Sequence, residues 1–277
     1  MTSKTRYQPA AQRDSFDEPS PSYTQAPPSY QAEASQNEPM LGGPRGEDDN
    51  LPDDFKFGGS VAEATLPIRM QFVRKVYAIL TAQILATMAL SSISYFSKGY
   101  KDWIRSNVWM MYVSLFGAIG FMLLTFWKRK SYPTNLLFLS GFTALEAYSV
   151  SVIVTFYQTR TVLLALVLTA GIFVALTLFA CQSKYDFTAW QPYLFGALWI
   201  LILFGFVSAF FPGGKTYEMI YGSVAALIFS GYILVDTQLI MRHYHVEEEI
   251  AAAISLYLDV INLFLAILRI LNSQQNN

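Results

Sequence analysis

Two uninterrupted apolar stretches, MIYGSVAALIFSGYILVDTQLIM from Met219 and IAAAISLYLDVINLFLAILRIL from Ile250, set the strongest limit on how this chain can fold. Each runs for roughly 22 residues, and at about 1.5 Å per residue that crosses a hydrocarbon core of about 30 Å. The polar turn RHYHVEEE joins them, so together they read as an intramembrane helical hairpin. Each arm carries one carboxylate, Asp236 in the first and Asp259 in the second. An ionised Asp well inside a bilayer is costly, so it is normally paired, hydrated or protonated. In an antiparallel hairpin the depths of these two differ by only about 6 Å, which lets them stand side by side just inside the face carrying the turn. Two acids that close in a low dielectric cannot both ionise cheaply, and they are expected to share a proton over part of the accessible pH range. That is the chemistry of a pH-sensitive cation site.

The remaining apolar residues extend the same pattern. With 53% hydrophobic and only 14% charged residues, the chain departs from the soluble norm of about a quarter charged. Its net charge of -1 hides an asymmetry, because residues 1–66 hold eleven of the 20 acidic and five of the 19 basic side chains. The leading segment is acidic and the rest basic. Eight of the 12 prolines also fall in residues 1–66, with many Ser and Gln and almost no aliphatic periodicity, so this tail is expected to be disordered and cytosolic. Within it, Pro27, Pro28 and Tyr30 match the PPxY pattern that WW domains read as a short polyproline helix. Either the match recruits a WW-containing ubiquitin ligase that controls turnover, or it is a chance product of a proline-rich tail. No cleavable apolar leader opens the sequence, so the first transmembrane helix is expected to direct insertion. A single Cys181 excludes an internal disulfide and any Cys-based metal cluster.

Apolar runs place seven spans at about 74–96, 108–126, 134–156, 161–181, 191–211, 219–241 and 250–271. Pro133 suits the first turn of the third span, and Pro212-Gly213-Gly214 close the fifth. The expected fold class is an all-α integral membrane protein, a seven-transmembrane-helix bundle over residues 67–277 preceded by the disordered tail. Trp103, Trp109, Trp127 and Trp190 lie at span ends, where interfacial aromatics anchor. A cytosolic N-terminus puts eight basic residues, including Lys128, Arg129 and Lys130, on that side against six opposite. The C-terminus is then luminal and the Asp pair lies toward the cytosol.

On the last span Ser255, Asp259, Asn262 and Arg269 share one helical face, a polar stripe suited either to an aqueous path or to helix packing. Glu146, flanked by Thr143 and Ser149, adds a third acid at membrane depth, either on a cation route or as a protonated hydrogen-bond donor to a neighbouring helix. His243 and His245 beside Glu247, Glu248 and Glu249 make a turn that can sense pH or bind metal weakly, or can simply be solvated and start the last helix. An intramembrane aspartyl protease is disfavoured, since the Asp contexts are ILVDTQ and LYLDVI, without Gly-x-Gly-Asp or Pro-Ala-Leu signatures. Gly-x-Ser-x-Gly and Walker-type motifs are missing too, so no enzymatic role is expected.

SGYILVDTQLIM, SLYLDVINLFLAILRIL and FTALEAYSVS closely resemble the transmembrane Bax inhibitor motif family, which includes Bax inhibitor and lifeguard proteins, over about residues 70–272. The acidic Pro-rich tail is similar to the lifeguard branch and suggests a fungal member. The resemblance implies a seven-helix fold, residence in endoplasmic reticulum, Golgi, vacuolar or related membranes, a pH-dependent calcium leak and protection against stress-induced cell death. It implies that Asp236 and Asp259 are the paired pH sensor and contact the transported calcium, and that Arg129 is the latch holding Asp236 in the closed state. Direct Bax binding is not carried over, because a fungal cell lacks that partner. The expected function is a pH-sensitive calcium leak channel contributing to calcium homeostasis and cell-death regulation, with lipid, calcium ions and protons as partners, no cofactor and no nucleic acid. Glu146 and Asn262 are candidates for the ion path. A calcium/proton exchanger and a non-transporting scaffold are the alternatives.

Overall fold

The computed structural model describes residues 60–62, 64, 66–128, 131–211 and 213–275. The tail with Pro27, Pro28 and Tyr30, the latch candidate Arg129 and the span-closing Pro212 therefore lie outside the described residues. Seven helices are long and apolar enough to cross a membrane, the number expected from the sequence. They are α1 (Leu66–Phe96), α3 (Trp109–Trp127), α4 (Thr134–Val154), α5 (Thr159–Gln182), α6 (Gln191–Phe210), α7 (Lys215–Arg242) and α8 (Glu249–Gln275), with a short α2 (Lys98–Ser106) between the first two spans.

Local chemistry explains where the ends fall. Helix α1 begins about two turns before its apolar stretch, because Pro67 fits a first turn and the charged residues that follow are good helix formers. Helix α2 has no counterpart among the expected elements. Ser97 caps it by accepting a hydrogen bond from the Tyr100 N–H at 3.3 Å, Ile104 is buried beneath it, and Arg105 donates to the Thr155 carbonyl at 2.6 Å. Before α6, Asp186 Oδ1 accepts from the Thr188 N–H at 2.9 Å and from its hydroxyl at 2.6 Å, opening the turn Thr188–Trp190. These bonds hold the exposed Asp186 carboxyl below the usual range. Trp109 and Trp127 stand at the two ends of α3 and Trp190 just before α6, as interfacial anchors do.

Successive spans alternate in direction, so two faces result. The turn face carries the start of α1, the α3–α4 and α5–α6 links and the α7–α8 turn; the far face carries α2 and the other links. Helix α8 is the most buried, then α7 and α4, while α6 presents nearly all of its surface outward. Large apolar side chains such as Phe116, Leu163, Val167, Leu203 and Phe204 stay exposed, as lipid-facing residues must. Helix α8 packs most extensively against α7, and also against α1, α5 and α4. The α7–α8 contact is close because Gly222 lacks a side chain: a Cβ there would meet Ile270 Cγ1 at 2.9 Å and the Ala266 carbonyl at 3.0 Å.

Candidate functional site

The hairpin formed by α7 and α8 brings Asp236 and Asp259 together. Both residues are buried, and their carboxyl groups lie within hydrogen-bonding reach of one another. Asp236 is six residues from the end of α7 and Asp259 ten residues into α8, so the pair sits inside the bundle on the turn side of its middle. Oδ2 of Asp259 has no hydrogen-bond partner, which leaves an acceptor for a proton or a cation. Tyr232, one helical turn before Asp236, stands near both carboxyls. Tyr244 approaches from the turn, its hydroxyl 3.4 Å from Ser255 Oγ. Burial, with the surrounding carboxylates adding to it, pushes the Tyr244 phenol up to about 12, so it stays a neutral donor.

The polar stripe on α8 is divided among several tasks. Ser255 meets Tyr244 and Asp259 meets Asp236, but the Asn262 amide donates to the Leu258 carbonyl of its own helix at 2.8 Å. Arg269 closes the far end of the hairpin through Glu218 at 2.9 Å and lies 4.6 Å over the Tyr221 ring. Glu146 belongs to a separate cluster. It neighbours Tyr257, which is two residues before Asp259 and so points about 200° away around α8. The Tyr257 hydroxyl is 2.7 Å from Thr87 Oγ1, and Gln83 donates to Thr143 at 3.0 Å, while Ser149 meets Ser114 at 2.7 Å. Thr143 and Ser149 thus bracket Glu146 and bind different helices. The Asp pair and Glu146 occupy opposite sides of α8.

At the turn, Glu249 pairs with Lys75 of α1 at 3.5 Å, and the Ala252 N–H donates to the Glu248 carbonyl at 3.0 Å, so these glutamates start α8. Among the described residues no group of three His, Cys, Asp or Glu side chains is placed to hold a metal. Cys181 is free and exposed near the end of α5.

Three groups near the pair lie outside the sequence-derived candidates. Gln238, buried, receives the Phe187 N–H at 2.6 Å and donates to the Tyr185 carbonyl at 2.7 Å, clamping the α5–α6 link to α7. The hydroxyls of Tyr77, Thr177 and Thr237 face one another between α1, α5 and α7 without a direct hydrogen bond. Tyr244 is the third. A Gln two residues beyond an intramembrane Asp was the one legible signal among them, since polar residues at depth need partners.

Fold and site together define a polytopic seven-helix membrane protein with a buried acid pair in its central hairpin. The sequence pattern of the family described as "Inhibitor of apoptosis-promoting Bax1" matches residues 69–276. Bax inhibitor 1 of Schizosaccharomyces pombe is 40% identical over 262 residues, covering 94% of this chain and 95% of that protein. Protein lifeguard 4 of Mus musculus is 39% identical over 224 residues, 81% of this chain and 94% of its own length. The Golgi anti-apoptotic protein of Vaccinia virus (strain Lister) is 40% identical over 222 residues, covering 80% and 93%. The chain belongs to the Bax inhibitor family.

Proposed function

We propose that this protein is a pH-sensitive calcium leak channel of an intracellular membrane, gated by the Asp236–Asp259 pair and contributing to calcium homeostasis and the control of stress-induced cell death. One observation carries the reading: two carboxyls meet inside the membrane-spanning hairpin, and among the described residues no basic side chain pairs with either. Two carboxyls that share a proton can exchange it for a cation, and the protonation state of the pair biases how α7 and α8 pack. The anti-apoptotic wording in one relative's name supports a role in cell death, and its Golgi designation supports an endomembrane. The N-terminus is assigned to the cytosol and the turn face with it. Arg129 is assigned as the latch on Asp236 from its place in the sequence pattern.

The test is calcium flux through purified protein in liposomes across about pH 5 to 8, the range over which a shared proton would act. Asp236→Asn and Asp259→Asn are each expected to remove most of the pH dependence. A profile unchanged by both refutes the gate, and absence of flux from folded wild type refutes the leak. Proton counterflow driven by a calcium gradient would identify an exchanger using the same carboxyls.

A further inference from the structure

We propose that the described residues 60–62 and 64, ahead of α1, form a strap that holds Tyr244 as a lid over the Asp236–Asp259 pair and closes the pair's approach from the turn face. This rests on the reading of the pair as the ion site and adds a mechanical control to it.

The strap is built like a strand added to the hairpin turn. The Val61 N–H donates to the Tyr244 carbonyl at 2.9 Å and the Ala62 N–H to the Arg242 carbonyl at 3.3 Å. Ser60 forms an antiparallel bridge with His245, and the Ala64 N–H returns to the Ser60 carbonyl at 3.2 Å. The Val61 side chain is 0% exposed and belongs to the central core, with Tyr244 packed against the same core. A residue outside any helix, in a segment the apolar pattern does not mark, is therefore buried as deeply as the centre of α8.

Tyr244 transmits this contact inward. Its backbone is bound by the strap, while its hydroxyl meets Ser255, one turn above Asp259 on the same face of α8. The ring lies near enough to both carboxylates to feel their charge. Strap, Tyr244 and Ser255 thus form one chain of contacts from the turn face to the helical turn that precedes Asp259. Lifting the strap frees the Tyr244 carbonyl and uncovers the apolar seat of Val61, which loosens the lid. Two backbone hydrogen bonds and one buried valine are comparable with the entropy of ordering about four residues, so the strap is poised to release. A partner that pulls on the preceding chain acts directly on the lid.

The experiment uses the full chain in detergent with Cys181→Ser and Ser255→Cys, and follows modification of the new thiol by a charged, water-soluble maleimide. Val61→Asp, which cannot keep a charge in that seat, is expected to speed labelling by about tenfold or more, whereas the exposed Ala62→Asp leaves the rate unchanged. Equal rates for Val61→Asp and its parent overturn the proposal. A second arm needs no destabilising change: in the Cys181→Ser chain, Ser60→Cys with His245→Cys cross-links the bridge. Oxidation is expected to lower calcium flux severalfold and reduction to restore it. Flux indifferent to the cross-link overturns the strap. Wild type without flux removes the leak reading, and the labelling arm then decides the strap alone.

Discussion

Asp259 shows how a single side chain can be legible in sequence while its neighbours are not. A carboxylate inside an apolar run stands out because nothing in hydrocarbon solvates it, and its partner could be placed from helix rise alone. Gln238 is as important locally, and its depth in an apolar run shows that it needs a partner, but only the tertiary structure shows which backbone it clamps. Gln238→Leu leaves the Phe187 N–H and Tyr185 carbonyl without their partner and is expected to cost about 1–3 kcal/mol. Thermal unfolding in detergent would check this, and a loss within error would mean that water replaces the clamp. Asp186 gives the opposite case, an exposed acid with a narrow task. Its carboxyl is held below the ordinary value by the Thr188 bonds, so its contribution is complete above the ordinary value and is lost only as pH falls through the lowered folded one. Protection of the Thr188 amide is therefore expected to stay constant from about pH 7 to 5 and to fall in Asp186→Ala at every pH, measured by hydrogen exchange.

At the scale of elements, the seven spans were readable because a membrane helix needs about 20 apolar residues, and few other structures use such runs. Helix α2 escaped because KGYKDWIRS has one buried apolar residue, Ile104, and reads as punctuation between spans. Its register depends on the Ser97 cap and on Arg105 finding a carbonyl in a distant link. Pairing of helices is likewise a matter of shape. Gly222→Leu is expected to push α7 and α8 apart at Ala266 and Ile270 and cost about 1–3 kcal/mol. Gly171→Leu on exposed α5, where nothing lies within 4 Å, should change little. Equal melting temperatures for the two variants would show that the hairpin relaxes at Gly222.

In the molecule as a whole, α8 is the axis around which α7, α1, α5 and α4 are arranged, and an ion pair stands at each end of its hairpin. The turn end has the strap and the Lys75–Glu249 contact; the far end has Arg269 and Glu218, with side chains 34% and 40% exposed. That partial exposure screens the pair, so a double-mutant cycle with Arg269→Ala and Glu218→Ala is expected to give a coupling of only about 0.2–1 kcal/mol. A larger value would mark the far end as dry. The sequence by itself determined seven apolar spans, the hairpin and the presence of two acids at nearly equal depth, because hydrocarbon imposes length and polarity limits on each segment separately. Only the tertiary structure decided that Glu146 faces away from the pair, that the polar stripe of α8 serves several neighbours, and that Val61 seats on Tyr244. Those outcomes depend on rotation and contact between distant segments, and no period along one segment encodes them.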